Sequence, residues 1–246
     1  MKYIQPFTYF LRKPSTGWKN VGIGCICAFV PIAGQLVWFG YRAEVNDDLD
    51  HDPAMARYSD FNADRLMPYL QRGIGPGVTN LLVSIAFILP LYVGVFIGGM
   101  LAGMAAIDPF LVMGLTACVC YLVVMVMMAI VWPMEIHAMK TRKLQLVAEF
   151  KFAIGFLRVV GLETFVTIFL FNMLGQVLLL LGMLFFCVGV YPAAVIYTMA
   201  EQHLMLQLYQ RYIEEGGQPV DTWSELEQEN DGVQRPKARR VEPEIE

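Results

Sequence analysis

Four stretches of the chain contain no Asp, Glu, Lys or Arg, and each is long enough to cross a lipid bilayer. A helix needs about 20 apolar residues to cross a hydrocarbon layer of about 30 Å. None of the stretches alternates apolar and polar positions as the strands of a membrane β-barrel do. The pattern predicts an all-α, polytopic bundle of transmembrane helices. The uncharged stretches are 21–41, 73–107, 109–134 and 164–200.

Prolines and glycines divide the longer stretches. The last one exceeds one crossing, and the break Gly189-Val-Tyr-Pro192 predicts two antiparallel helices there. The second opens with Gly73-Ile-Gly-Pro-Gly, so its helix is expected to begin near Val78, with hinges at Pro90 and Pro192. The predicted full spans are 78–107, 109–134, 164–187 and 193–212.

The first stretch, 21–41, has Pro31 at its middle. It is either one kinked span or two half-helices that enter the membrane and return. Basic residues in short loops stay cytoplasmic, and such residues flank this stretch at 2–19 and the third stretch at 140–158. Only a re-entrant first segment places both basic regions inside, so we favour it. We therefore expect a multi-pass protein of the cell inner membrane, with cytoplasmic N- and C-termini.

Two further helices are expected at the membrane surface. Apolar residues recur at helical spacing within 4–11 and again within 147–157. Between the first and second stretches, 42–72 begins with five carboxylates and predicts a solvated loop.

Composition narrows the class of protein further. The chain is 57% hydrophobic and only 16% charged, which argues against a disordered chain, a disulfide-stapled mini-protein and a basic nucleic-acid-binding protein. Ten acids and four basic residues fall within 214–246, so the net charge of −4 reflects the tail. We expect an integral membrane domain at 1–217 and a disordered, acidic cytoplasmic tail at 218–246.

Recognisable catalytic and cofactor motifs are missing. The sequence has no phosphate-binding loop, dinucleotide fingerprint, H-E-x-x-H, G-x-S-x-G or zinc pattern. Two C-x-C pairs, Cys25/Cys27 and Cys118/Cys120, lie in apolar runs, but residues two apart on a helix point about 200° away from each other. The sequence predicts a protein that is not an enzyme, with no catalytic residue, metal or cofactor.

The last two spans carry the candidate intramembrane polar site. Asn172 and Gln176 are four residues apart on one helix, and Glu201 and His203 lie in the next. An acid within a membrane helix is a functional candidate by default, which favours a small transporter or channel subunit. A polar face on a helix that leaves the membrane explains the same residues.

A second set of polar residues raises the hypothesis of a lipid-acting enzyme. Its parts would be Asp60, Asp64, Glu135 and His137, gathered at headgroup level. Met-Glu135-Ile-His137 resembles the string around Glu201 and His203, so a Glu from one helix and a His from the other could converge.

Four glycines on the second span suit close helix packing. Gly94 and Gly98, and Gly99 and Gly103, are spaced four apart, which clears a groove for a neighbouring helix. That neighbour is either another helix of this chain or a second subunit. Besides the lipid bilayer, the expected partner is a protein or a second copy of the chain.

Several strings resemble one family. They are Trp18-Lys-Asn-Val-Gly-Ile-Gly24, Val30-Pro-Ile-Ala-Gly34, Gly40-Tyr41, Arg57-Tyr-Ser-Asp-Phe61, Gly73, and the C-terminal group His203-Leu, Gln207-Leu-Tyr, Tyr212 and Gly216-Gly217. The chain resembles an uncharacterised prokaryotic family of polytopic membrane proteins, catalogued as a domain of unknown function. Ala56 stands where that family usually has proline. The resemblance implies several membrane spans and no established activity.

The hypothesis that follows is a structural or accessory subunit of a membrane assembly. The alternative is a small transporter or channel subunit that uses the polar residues of the last two spans.

Overall fold

The structure, a computed structural model, describes residues 5–8, 14–51, 60–104, 108–184 and 188–220. These residues are helical and contain no strand, as the sequence predicts. The α-helices are α1 (Gln5–Thr8), α2 (Pro14–Phe29), α3 (Ala33–His51), α4 (Leu66–Met104), α5 (Pro109–Thr141), α6 (Leu146–Leu184) and α7 (Val190–Glu214).

The first uncharged stretch folds as two helices that meet at a turn around Pro31. Helices α2 and α3 run antiparallel, and Asn20 Nδ2 donates a hydrogen bond to the Tyr41 hydroxyl at 2.8 Å. Near the turn, a Cβ added to Gly34 would collide with the Cys27 carbonyl, so the backbones approach closely there. This geometry corresponds to two half-helices; their position relative to the bilayer remains a prediction.

Helices α3 and α4 extend into the region predicted to be a loop. Helix α3 continues to His51 and α4 begins at Leu66, so Gly73-Ile-Gly-Pro-Gly is helical rather than a flexible start near Val78. Packing explains the difference. A Cβ on Gly40 would collide with the Tyr69 carbonyl, and one on Gly73 with the Leu36 carbonyl. Here the glycines admit a neighbouring backbone.

Three helices are long and apolar enough to cross a membrane: Ala63–Met100, Phe110–Thr141 and Leu146–Leu184. Helix α7, predicted as a fourth span, is not among them. Its second half carries Glu201, Gln202, His203 and Gln207, which lower its hydropathy. The structure thus supports a membrane protein with three candidate spans.

The predicted surface helix at 147–157 is the first part of α6. The backbone of this helix departs from helical geometry at Val160, with φ −121° and ψ 26°, where the structure continues into the predicted span. Val147 and Phe150 are exposed. Of the other predicted surface helix, the structure describes only α1, and 4, 9–11 and the tail from 221 onward lie outside the described residues.

Two of the three predicted hinges, Pro90 and Pro192, lie within helices. Helix α4 continues through Pro90. Pro192 occupies the first turn of α7, where its missing N–H costs no helical hydrogen bond. Pro31 marks the turn between α2 and α3.

The bundle has two dissimilar parts. In the part that we call the inner half, α3, the start of α4, the end of α5 and α7 enclose a core that includes Tyr41, Tyr69, Trp132 and Leu204. In the outer half, 81–100 of α4 and 110–126 of α5 present mostly exposed apolar side chains.

Candidate functional site

Arg42 of α3 lies at the centre of the inner half, with 4% of its surface exposed. It stands between two carboxylates from different helices. Its Nη1 lies 3.3 Å from Glu135 Oε1 of α5, and its Nη2 lies 3.3 Å from Glu201 Oε2 of α7. One guanidinium therefore joins three helices through two carboxyl groups.

Both oxygens of Glu201 receive hydrogen bonds. Trp132 Nε1 donates to Oε1 at 2.8 Å, and Arg42 Nη2 donates to Oε2 at 3.3 Å. The Glu201 side chain is 14% exposed. Two donors from different helices, α5 and α3, thus orient this carboxyl.

Glu135 is held differently. It is 1% exposed, and the Asn80 side chain of α4 hydrogen-bonds its carboxyl. Its Oε1 contacts Arg42 as an ion pair, yet within the described residues that oxygen accepts no hydrogen bond of acceptable geometry. The two carboxyls on Arg42 are thus unequal.

A chain of amides extends the cluster along α3. Arg42 Nε donates to Gln202 Oε1 at 3.2 Å, and Gln202 Nε2 donates to Asn46 Oδ1 at 3.3 Å. The sulfur of Met139 lies 3.5 Å from the same Gln202 nitrogen. We call Arg42, Asn46, Glu135, Glu201 and Gln202 the buried ion cluster.

Of the residues predicted for an intramembrane polar site, Glu201 belongs to the buried ion cluster. Asn172 lies elsewhere: its Oδ1 accepts from the Tyr197 hydroxyl at 3.3 Å, and its Nδ2 donates to the Ile168 carbonyl at 2.9 Å. Gln176 is exposed, and His203 is buried. The structure therefore does not place Asn172 and Gln176 together on one polar lining.

The residues of the lipid-enzyme hypothesis are also dispersed. Asp60 and Asp64 are exposed, whereas Glu135 is enclosed by the buried ion cluster. The ring of His137 packs against Phe152, with centroids 5.4 Å apart. The convergence predicted between a Glu and a His is instead a convergence of two glutamates on an arginine.

The part of the chain that the structure describes contains no group of three or more His, Cys, Asp or Glu residues arranged to hold a metal ion. Cys25 and Cys27, and Cys118 and Cys120, are free thiols there.

A second ionic group lies at the ends of α3, α4 and α5. Glu44 pairs with Arg65 at 2.7 Å and with Arg72 at 3.2 Å, and Asp47 pairs with Arg142 at 2.9 Å. The sequence assigned the two acids to a solvated loop. In the structure they are helical, and the pairs tie the α3–α4 connection to the end of α5.

Sequence reasoning missed Arg42 as a site residue, although a signal for it exists. Arg42, Glu135 and Glu201 are each the first charged residue after an uncharged stretch. In the favoured topology α3, α5 and α7 all run toward the cytoplasm, so their first charges come to a similar depth. This shared depth of Arg42, Glu135 and Glu201 is the sequence signal for the buried ion cluster.

Known proteins add no further constraint, since no family model, curated protein or solved structure matches this chain.

Proposed function

We propose that this chain is a multi-pass integral membrane protein that works as a structural subunit of a membrane assembly, joined through the glycine face of α4. The glycine face consists of Gly94 and Gly98, and a second pair, Gly99 and Gly103, lies about 140° farther round the helix axis. A Cβ added at any of these positions would meet no atom within 4 Å. This open face is the observation that carries the proposal.

The surroundings of the glycine face support a contact between transmembrane helices. The most apolar 18-residue window of α4 has none of its residues buried within the chain. Phe96 and Met100 are exposed beside the glycines. Transmembrane helices associate where small residues let backbones approach, because lipid offers no hydrophobic drive between apolar helices.

The occupant that we propose is a second copy of this chain. Two identical grooves crossing about a two-fold axis can each receive the other's backbone, which makes the contact self-complementary. A helix of another protein is the other outcome.

The proposed orientation has both termini in the cytoplasm and the α2–α3 hairpin inserted without crossing. The excess of Lys and Arg at 2–19 and 140–158 supports it. The inner membrane is the proposed location, with α7 as the fourth span.

Energy transfer between two fluorescently labelled populations, mixed in liposomes and diluted with excess lipid, tests the assembly. The energy transfer measured for the wild-type protein should exceed the level expected for randomly distributed molecules. Gly98→Leu should return transfer to that random level, because its side chain fills the groove.

Gly114→Leu on α5 is the matched control, since it too adds bulk where a Cβ meets nothing within 4 Å. It should keep the wild-type transfer. Random transfer in wild type, or equal transfer in Gly98→Leu and wild type, would contradict a self-association through α4. Co-purification of one defined second protein that Gly98→Leu releases would assign the face to a different partner.

A second candidate, a small transporter or channel subunit, is favoured by the buried ion cluster alone. An ionisable group kept within membrane helices is expensive and marks ion or proton pathways in many proteins.

A further inference from the structure

We propose that Arg42, Glu135 and Glu201 form a proton-binding site, in which Glu135 carries one exchangeable proton while Glu201 is ionised. The proposal concerns the inner half of the bundle. It does not depend on what covers the glycine face of α4, so the energy-transfer experiment can fail without touching it.

Charge balance is the first argument. Arg42 supplies one positive charge to two carboxyl groups, and all three side chains are at least 86% buried. With both glutamates ionised, the group would carry a net charge of −1 away from water. An uncompensated buried charge is strongly unfavourable. A single proton restores neutrality.

Hydrogen-bond geometry assigns the proton to Glu135. Both Glu201 oxygens accept oriented bonds, from Trp132 and from Arg42. Glu135 Oε1 accepts none within the described residues, although it lies 3.3 Å from Arg42 Nη1. A carboxylate gains most from oriented donors, so Glu201 is the better anion and Glu135 the better acid.

The amide chain supplies a second, independent observation. Arg42 Nε donates to Gln202 Oε1, which orients the amide oxygen of Gln202 toward Arg42. Gln202 Nε2 in turn donates to the Asn46 oxygen. Among the described residues, Asn46 Nδ2 then has no hydrogen-bond partner, although the residue is only 1% exposed. Native proteins rarely leave such groups unsatisfied.

The other polar groups around Glu135 do not supply a second cation. Helix α4 contributes Asn80, and α7 contributes Tyr197 near Glu201. On α5 itself, Lys140 directs its Nζ over the Tyr209 ring at 4.5 Å. Among the described residues, Arg42 is the cation that the structure sets against the two carboxyls.

Helix α6 contributes a different buried carboxyl, Glu149. Its Oε2 accepts from Thr79 Oγ1 at 2.8 Å, and its Oε1 accepts from the Gln145 backbone N–H at 2.9 Å. Both of its oxygens accept hydrogen bonds from neutral donors, and among the described residues no cation pairs with it, so a proton on Glu149 would give a carboxyl band of its own.

A proton fits this site better than a metal ion does. The guanidinium occupies the space between the carboxyls that a bridging cation would need, and it repels a second positive charge. A proton requires no room beyond the carboxyl itself.

Infrared spectroscopy of the purified full-length protein in lipid at neutral pH tests the site through the C=O stretch of a protonated carboxyl. Wild type should show this band, and it should shift in D₂O because the proton exchanges. Glu135→Gln, a close mimic of the protonated side chain, should remove it. Glu149→Gln reports the contribution of that second carboxyl, and the component of the band that Glu135→Gln removes should remain in it.

Two further variants give outcomes that a merely structural cluster would not. In Glu201→Gln, Arg42 faces a single carboxyl, so Glu135 should ionise and the band should disappear. In Arg42→Gln, both glutamates should hold protons, and the band should roughly double in area.

Three results would overturn the proposal. One is a wild-type protein without the band, which would mean that both glutamates are ionised. Another is a band that disappears in Glu149→Gln and persists in Glu135→Gln. The third is a band that added sodium chloride abolishes at constant pH, which would make the site a cation site.

Discussion

The inner and outer halves of α4 and α5 place the same two helices in different surroundings. At Glu135, α5 buries a carboxyl group against Arg42, whereas its residues 110–126 expose apolar side chains. At Gly73, α4 packs so closely on α3 that an added Cβ would collide with the Leu36 carbonyl, whereas a Cβ added at Gly98 would meet nothing within 4 Å. One half is sealed by protein, and the other is left for lipid or a partner.

This difference shows that hydropathy and burial are separate properties in this chain. The apolar residues 81–100 and 110–126 are mostly exposed, as expected where lipid solvates a helix. Arg42 and Glu135, each the first charged residue after an apolar stretch, are buried, because protein partners compensate them. Variants in the two halves should therefore behave oppositely.

The largest expected effect comes from removing the central cation. Arg42→Met leaves two buried carboxyls without their partner and should lower the free energy of unfolding by about 3–5 kcal/mol. The measurement is unfolding in mixed micelles as the denaturing detergent is increased.

The matched control is Arg65→Met, which also removes an arginine–glutamate pair. Arg65 is 45% exposed, and its pair with Glu44 should be worth about 0–1 kcal/mol. Equal losses in both variants would show that the inner half is no better sealed than the surface.

Close backbone packing in the inner half provides the next largest effect. Gly73→Ala places a methyl group against the Leu36 carbonyl and should cost roughly 1–3 kcal/mol of stability through overpacking.

Gly114→Ala is the counterpart in the outer half. With nothing within 4 Å, alanine there should be neutral or stabilise the helix by roughly 0.5–1 kcal/mol. The same unfolding titration measures both variants. A loss at Gly114 that matches the loss at Gly73 would mean that the outer half is packed within the monomer.

An effect of similar size is expected when Glu201 loses one of its hydrogen-bond donors. Trp132→Phe keeps most of the ring but removes the hydrogen bond to Oε1, which should cost about 1.5–3 kcal/mol because the acceptor is charged.

Tyr197→Phe removes a hydroxyl that donates to the neutral Asn172 amide and should cost only about 0.5–1.5 kcal/mol. The reverse order, with Tyr197→Phe the costlier change, would argue against an ionised Glu201.

Much of the fold follows from the sequence because membrane helices are specified by local composition. Uncharged length alone predicts the apolar parts of α4, α5 and α6, and Pro31 and Gly189 predict two turns. The α3–α4 connection was predicted wrongly, since Gly73 and Gly77 punctuate a chain in isolation yet pack against α3 in the fold.

The site was less accessible to sequence reasoning. Glu201 was recognised because a lone acid in an apolar helix is conspicuous. Its partners come from helices distant in the chain, and local spacing carries no information about which helices meet. Gln176 shares a helical face with Asn172 in the sequence, and in the structure its side chain is exposed.

The most direct test of the two-part bundle is to measure whether lipid or water surrounds the outer half of α4. A nitroxide is placed at Leu89, at Phe96 or at Arg65, in a background in which the five native cysteines are replaced. In lipid, collisions with dissolved oxygen should exceed collisions with a water-soluble nickel chelate at Leu89 and Phe96, and the order should reverse at Arg65. Preferential collision with the nickel chelate at Leu89 and Phe96 would place the outer half in water and contradict the membrane assignment.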